Sequence, residues 1–104
     1  LKITAVLSAA VALDQLVGFD NEPTGANGAV KGAARMAGSA GDAITLTALG
    51  VVDLPAGAII AAGDELISDA AGKPVPKGAT ASPMVFGTAL NAAALGGRVS
   101  VLIR

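Results

Sequence analysis

The chain has no cysteine, no histidine, no tryptophan and no tyrosine, and only two phenylalanines, Phe19 and Phe86. Without cysteine there are no disulfides, thiolate metal sites or cysteine nucleophiles, and the redox compartment is left open. Without histidine as well, the commonest zinc sites and the commonest general base are missing. Charge is scarce too: 14% of the 104 residues are charged and the formal net charge is −1. That gives no basic footprint for nucleic acid, and stacking on bases needs rings that this chain does not have. Long apolar runs are lacking despite a high mean hydropathy. Ile3–Leu13 is too short to span a bilayer, and Gly78–Gly97 is interrupted by Pro83, Gly87, Asn91 and several hydroxyls. We expect no membrane partner. Leu1-Lys2-Ile3 through Ala12-Leu13 has the outline of a secretory signal, but we read it as part of the folded domain.

What is present is small. The sequence holds 24 alanines and 14 glycines. Such side chains bury little area each, at about 25 cal/mol per Å², so the predicted core is thin. Association would add the missing buried surface.

The pattern is one of short strands separated by turn residues, which predicts an all-β fold. We expect a small single-domain β-barrel or sandwich with an extended N-terminal arm and Gly/Pro-rich loops, covering residues 1–104. Residues 1–7 read as that arm or as a first strand, and Ser8–Leu13 as an Ala-rich helical turn. Strands are expected at Asp14–Phe19, Ala29–Met36 (with Gly32 near a bulge), Ile44–Leu49, Val51–Leu54, Asp64–Asp69, Met84–Leu90 and Arg98–Arg104. Leu49-Gly50 reads as a hairpin turn. Pro74-Val75-Pro76 belongs at a sheet edge, because proline cannot donate to a ladder.

The phrase Ala40-Gly41-Asp42-Ala43-Ile44 is echoed by Ala62-Gly63-Asp64-Glu65-Leu66. Gly-Asp suits a turn that needs positive φ and a side chain able to cap its own backbone. Gly41, Asp42, Gly63 and Asp64, with the corner Pro55 to Gly57, are therefore read as structural turns, and the echo as paired hairpins within one sheet.

Catalytic readings fail one by one. Asp64 and Glu65 are adjacent, so on a strand they face opposite ways and cannot pair as acid and base. Asp20, Asn21 and Glu22 lack the regular spacing of a calcium loop. Gly25-x-x-Gly28 does not open a helix after a strand, as a phosphate cradle must. Ser39 and Ser82 have no histidine to activate them. Lys73 and Lys77 flank prolines as solvated edge charges, and both phenylalanines are assigned to the core. No catalytic residue, metal site or cofactor is expected.

Taken in order, Leu16-Val17-Gly18-Phe19-Asp20, Ala40 to Leu46, Leu49-Gly50-Val51-Val52, Pro55 to Leu66 and Ala92 to Leu102 resemble a family of small tailed-phage proteins. These are the capsid cement, or head decoration, proteins. The resemblance implies a non-enzymatic virion protein, made in the host bacterial cytoplasm. It would bind the major capsid protein on the outer surface of an expanded head and brace it against internal DNA pressure. It also implies a homo-oligomer, with a trimer favoured over a dimer. An N-terminal segment that adds a strand to a neighbour makes Leu1, Lys2, Ile3, Thr4, Val6 and Leu7 interface candidates. Ile60 to Leu66 also resembles the turn of SAF-type and biotinyl/lipoyl-type β-domains, which bind a sugar or carry a cofactor on lysine. The nearest tip here, Arg35-Met36-Ala37, has arginine where lysine is required. A fragment of a secreted adhesin is a third reading.

Overall fold

The first strand, β1 (Lys2–Val6), lies at one edge of a four-stranded antiparallel sheet. Its partners are β2 (Leu16–Gly18), β3 (Val30–Ala34) and β4 (Ala43–Thr47), in the order β1-β4-β3-β2. A second antiparallel sheet holds β5 (Gly50–Pro55), β6 (Glu65–Ser68), β7 (Pro74–Pro76), β8 (Gly87–Ala89) and β9 (Arg98–Ile103), in the order β5-β9-β8-β6-β7. The structure is a computed structural model and describes residues 1–103. Among them the only regular elements are strands, and the two open sheets form a sandwich.

The two sheets are one structural repeat used twice. Strands β1, β2, β3 and β4 correspond to β5, β6, β8 and β9, in the same spatial order. The registers agree residue for residue. Ile3↔Leu46 and Ala5↔Ile44 in the first repeat match Val52↔Val101 and Leu54↔Val99 in the second. Ala34↔Leu46 matches Ala89↔Val101, and Val17↔Gly32 matches Leu66↔Gly87. Even β7 has a counterpart: the bridge Val17↔Pro23 stands where Leu66 pairs with Pro76.

Each repeat is built on two copies of a single turn, four in all: Ala12–Gln15, Ser39–Asp42, Ala61–Asp64 and Ala94–Gly97. In each, the fourth N–H donates to the first carbonyl, at 3.2, 3.0, 3.1 and 2.8 Å. The third residue has positive φ (Asp14 65°, Gly41 91°, Gly63 88°, Gly96 81°), which is why glycine fills three of the four places. The first N–H donates to the fourth side chain at 2.9 Å, to Gln15 Oε1, Asp42 Oδ2 and Asp64 Oδ2 in turn. Gly97 has no side chain to offer.

The echo between Gly41-Asp42 and Gly63-Asp64 thus joins turns that lead into β4 and β6, in different sheets, and not hairpins of one sheet. Likewise Leu49-Gly50 is no hairpin: β4 and β5 do not pair, and the chain crosses between sheets there with Gly50 at φ 118°. Ser8–Leu13 forms no helix, because Val11 is drawn into a bridge with Gly38 across paired hydrogen bonds of 2.9 Å. Residues 1–7 are not a free arm, since β1 is laddered to β4 throughout and Leu7 N donates to the Asp42 carbonyl.

The core has two parts. The inner face of the first sheet, with Ala5, Leu7, Val11, Val17, Ala34, Ile44 and Leu46, forms one cluster. The inner face of the second sheet forms the other and also takes in Leu16 and Ala33. These two alternate with Val17 and Ala34 along β2 and β3, so they stand on the back of the first sheet. The back of one repeat therefore packs on the inner face of the next, a heterologous contact between like units.

Candidate docking surface

With so few bulky side chains available, their placement is informative. Phe19 is 70% exposed and not in the core, whereas Phe86 is buried. Phe19 follows the last residue of β2, where the bulge between Val17 and Gly18 ends regular pairing, and it lies in a turn closed by the Asn21 N–H on the Gly18 carbonyl at 3.0 Å. Asp20 Oδ1 accepts the Glu22 N–H at 3.1 Å, and its carbonyl accepts the Ser8 hydroxyl at 2.9 Å, so the loop is tied down beside the ring.

Phe19 rims a hollow of about 190 Å³ formed where the repeats meet. Ala29, Val30 and Ala48 contribute from the first repeat, and Met84, Val85, Phe86 and Ile103 from the second. None of these residues is charged. Met84, also exposed, is not in a strand as expected, because β8 begins only at Gly87. It is held by Asn27, whose Oδ1 accepts the Met84 N–H at 2.7 Å and whose Nδ2 donates to the Ser82 carbonyl at 3.3 Å. Asn27 N in turn donates to the Ser68 carbonyl at 2.8 Å. Exposed Leu1 and Leu49 lie beside Ala48: the Ala48 and Leu49 N–H groups both donate to the Leu1 carbonyl.

Of the interface candidates, Leu1, Lys2, Thr4 and Val6 are exposed, Ile3 is half-buried, and Leu7 is buried in the first core cluster. The turn residues are dispersed rather than gathered into a site. Pro55 ends β5, and Gly57 N donates to the Pro74 carbonyl at 2.9 Å. A Cβ on Gly57 would stand 2.5 Å from Asp69 Oδ2, so a larger residue there would displace that carboxylate. Lys77 lies 3.1 Å from Glu65 and Arg98 lies 2.8 Å from Asp14, the latter pair linking the two repeats. Both pairs are solvent-accessible and add little stability. Phe19, expected in the core, is followed in the sequence by the turn residues Asp20 to Gly28, the one local signal of its outward placement. Nothing in the sequence marks Met84, whose position depends on the distant Asn27.

A family model described as phage cement protein matches residues 1–104, the whole chain. The chain belongs to that family, and it is a structural protein of the phage virion. No curated protein matches it in sequence. Among solved structures it is similar to the N base of head fiber gp8.5 of bacteriophage phi29, at 24% identity and a TM-score of 0.79. That match covers 100% of this chain and 93% of the other, and shows a common fold.

Proposed function

We propose that this cement protein binds the outer surface of an expanded phage head through its uncharged hollow, contacts the major capsid protein, and stabilises the shell against DNA pressure. It works by contact area, without catalysis, as a homo-oligomer. The observation that carries this reading is the outward placement of Phe19 and Met84 around an uncharged hollow. A chain with two aromatics leaves one of them in solvent, where burial in a partner would contribute about 1.5–3 kcal/mol. Family membership supplies the class of partner. The side-chain inventory supports the absence of catalysis: no histidine, no cysteine, and acidic groups spent on turns and surface pairs.

The test is to mix the purified protein with expanded, undecorated heads. Saturable, stoichiometric binding and raised heat resistance of the heads are expected. Heads that neither bind the protein nor gain heat resistance would overturn the reading.

A further inference from the structure

Asn27 meets two local demands at once. Its φ of 51° lies in the left-handed region, which asparagine tolerates better than most side chains. Its carboxamide is also donor and acceptor together: Oδ1 accepts the Met84 N–H at 2.7 Å, and Nδ2 donates to the Ser82 carbonyl at 3.3 Å. The next position has a restriction of its own. A Cβ on Gly28 would stand 2.9 Å from Thr24 Cγ2 and 3.1 Å from the Gly25 carbonyl oxygen, so a larger residue would crowd the loop. The fold thus sets an Asn-Gly pair immediately before Ala29 and Val30, which line the hollow.

That pair carries a reaction. Asparagine is thermally labile because the backbone nitrogen that follows can reach its side-chain carbonyl carbon, and glycine puts no side chain in the way. Gly28 N, giving up its proton, bonds to Asn27 Cγ; the Cγ–Nδ2 bond breaks, and that nitrogen leaves as ammonia. Water then opens the cyclic imide at either carbonyl. The product is aspartate, or an isoaspartate whose main chain runs through Cγ. In the folded chain every group involved is engaged. Gly28 N donates to the Gly25 carbonyl at 3.0 Å, and both ends of the carboxamide are held by the Ser82–Met84 segment. Reaction therefore requires the loop to open.

We infer that Asn27 is a site of spontaneous deamidation, guarded by the fold, and that its product releases the Met84 segment and weakens docking. Neither product restores the latch. Aspartate has no donor for the Ser82 carbonyl and sets a carboxylate oxygen against it. Isoaspartate carries its carboxylate on a longer backbone, displaced from both partners. Either product also brings a negative charge to a hollow whose lining has none. Asn21 precedes Glu22 and Asn91 precedes Ala92, so each has a side chain at the attacking residue, and their carboxamides hold no residue of the hollow. The effect on docking rests on the functional reading above; the modification itself does not.

The test keeps the protein in mildly alkaline buffer, folded or unfolded in urea, and follows each asparagine by peptide mass. Conversion is expected at Asn27 ahead of Asn21 and Asn91, and at least about tenfold faster in the unfolded chain. Protein converted at Asn27 is then separated by charge from unconverted protein. It should keep its strand amides protected, exchange the Met84 amide at least about tenfold faster, and bind heads at least about tenfold more weakly. Asn27→Asp supplies the aspartate form without ageing and should weaken head binding likewise. No conversion at Asn27 in urea, or equal rates folded and unfolded, would overturn the inference. So would converted protein that matches the parent in Met84 exchange or in head affinity. Fresh protein that ignores heads defeats the functional reading alone, and the inference is then decided by the conversion rates and the Met84 amide.

Discussion

Leu16 and Glu65 occupy the same position in the two repeats and have opposite environments. Leu16 is fully buried between the sheets, while Glu65 is exposed with Lys77 Nζ at 3.1 Å. The back of the first repeat is covered at Leu16, and the corresponding position of the second repeat is a carboxylate open to solvent.

Replacing these two residues should separate their roles. Leu16→Ala should cost about 2–5 kcal/mol of unfolding free energy, from lost burial plus a cavity. Glu65→Ala should change stability by less than about 1 kcal/mol, because an exposed pair contributes little. Urea denaturation measures both, and equal costs would contradict the heterologous packing.

The four turns make a prediction in two directions. Asp64→Ala removes the acceptor for Ala61 N and should cost about 1 kcal/mol. Gly97 holds the same turn position without a side chain, and its φ is not in the left-handed range. A Cβ there would lie 3.5 Å from Ala94 N and 3.1 Å from Ala94 O, tight but on the side of the unused donor. Gly97→Asp should therefore raise stability by about 0.5–1 kcal/mol, read as an increase in thermal midpoint.

The phenylalanines should divide function from folding. Phe86→Ala should destabilise by about 3–5 kcal/mol. Phe19→Ser should leave the thermal midpoint within a few degrees and weaken head binding at least about tenfold, the loss expected for an aromatic anchor. Unchanged head binding by Phe19→Ser would remove the hollow from the docking surface.

Thr47 lies across from Ala33 on the back of the first sheet, and its Oγ1 is buried without a hydrogen-bond partner. Thr47→Val removes that hydroxyl and keeps the β-branched shape. Stability should rise by about 1 kcal/mol, and a loss of stability would show that the hydroxyl is paired in solution.

The sequence by itself determined the class of fold and which reactive side chains are missing. Alternation such as Ile44-Thr45-Leu46 marks a strand with one apolar face, Gly-Asp pairs mark turns needing positive φ, and an inventory without histidine or cysteine offers no imidazole or thiolate. Tertiary structure decided which strands pair, that the chain is a repeat used twice, and that Phe19 faces outward. The repeat escapes inspection because its equivalent residues share environment rather than identity: Ala5 answers to Leu54 and Asp14 to Gly63, pairs related through ladders and turns that exist only in the folded chain. The side of a sheet that becomes core depends on what packs against it. Leu16 and Val17 are both buried, one on each face, and no local pattern can say that a second sheet arrives to cover Leu16.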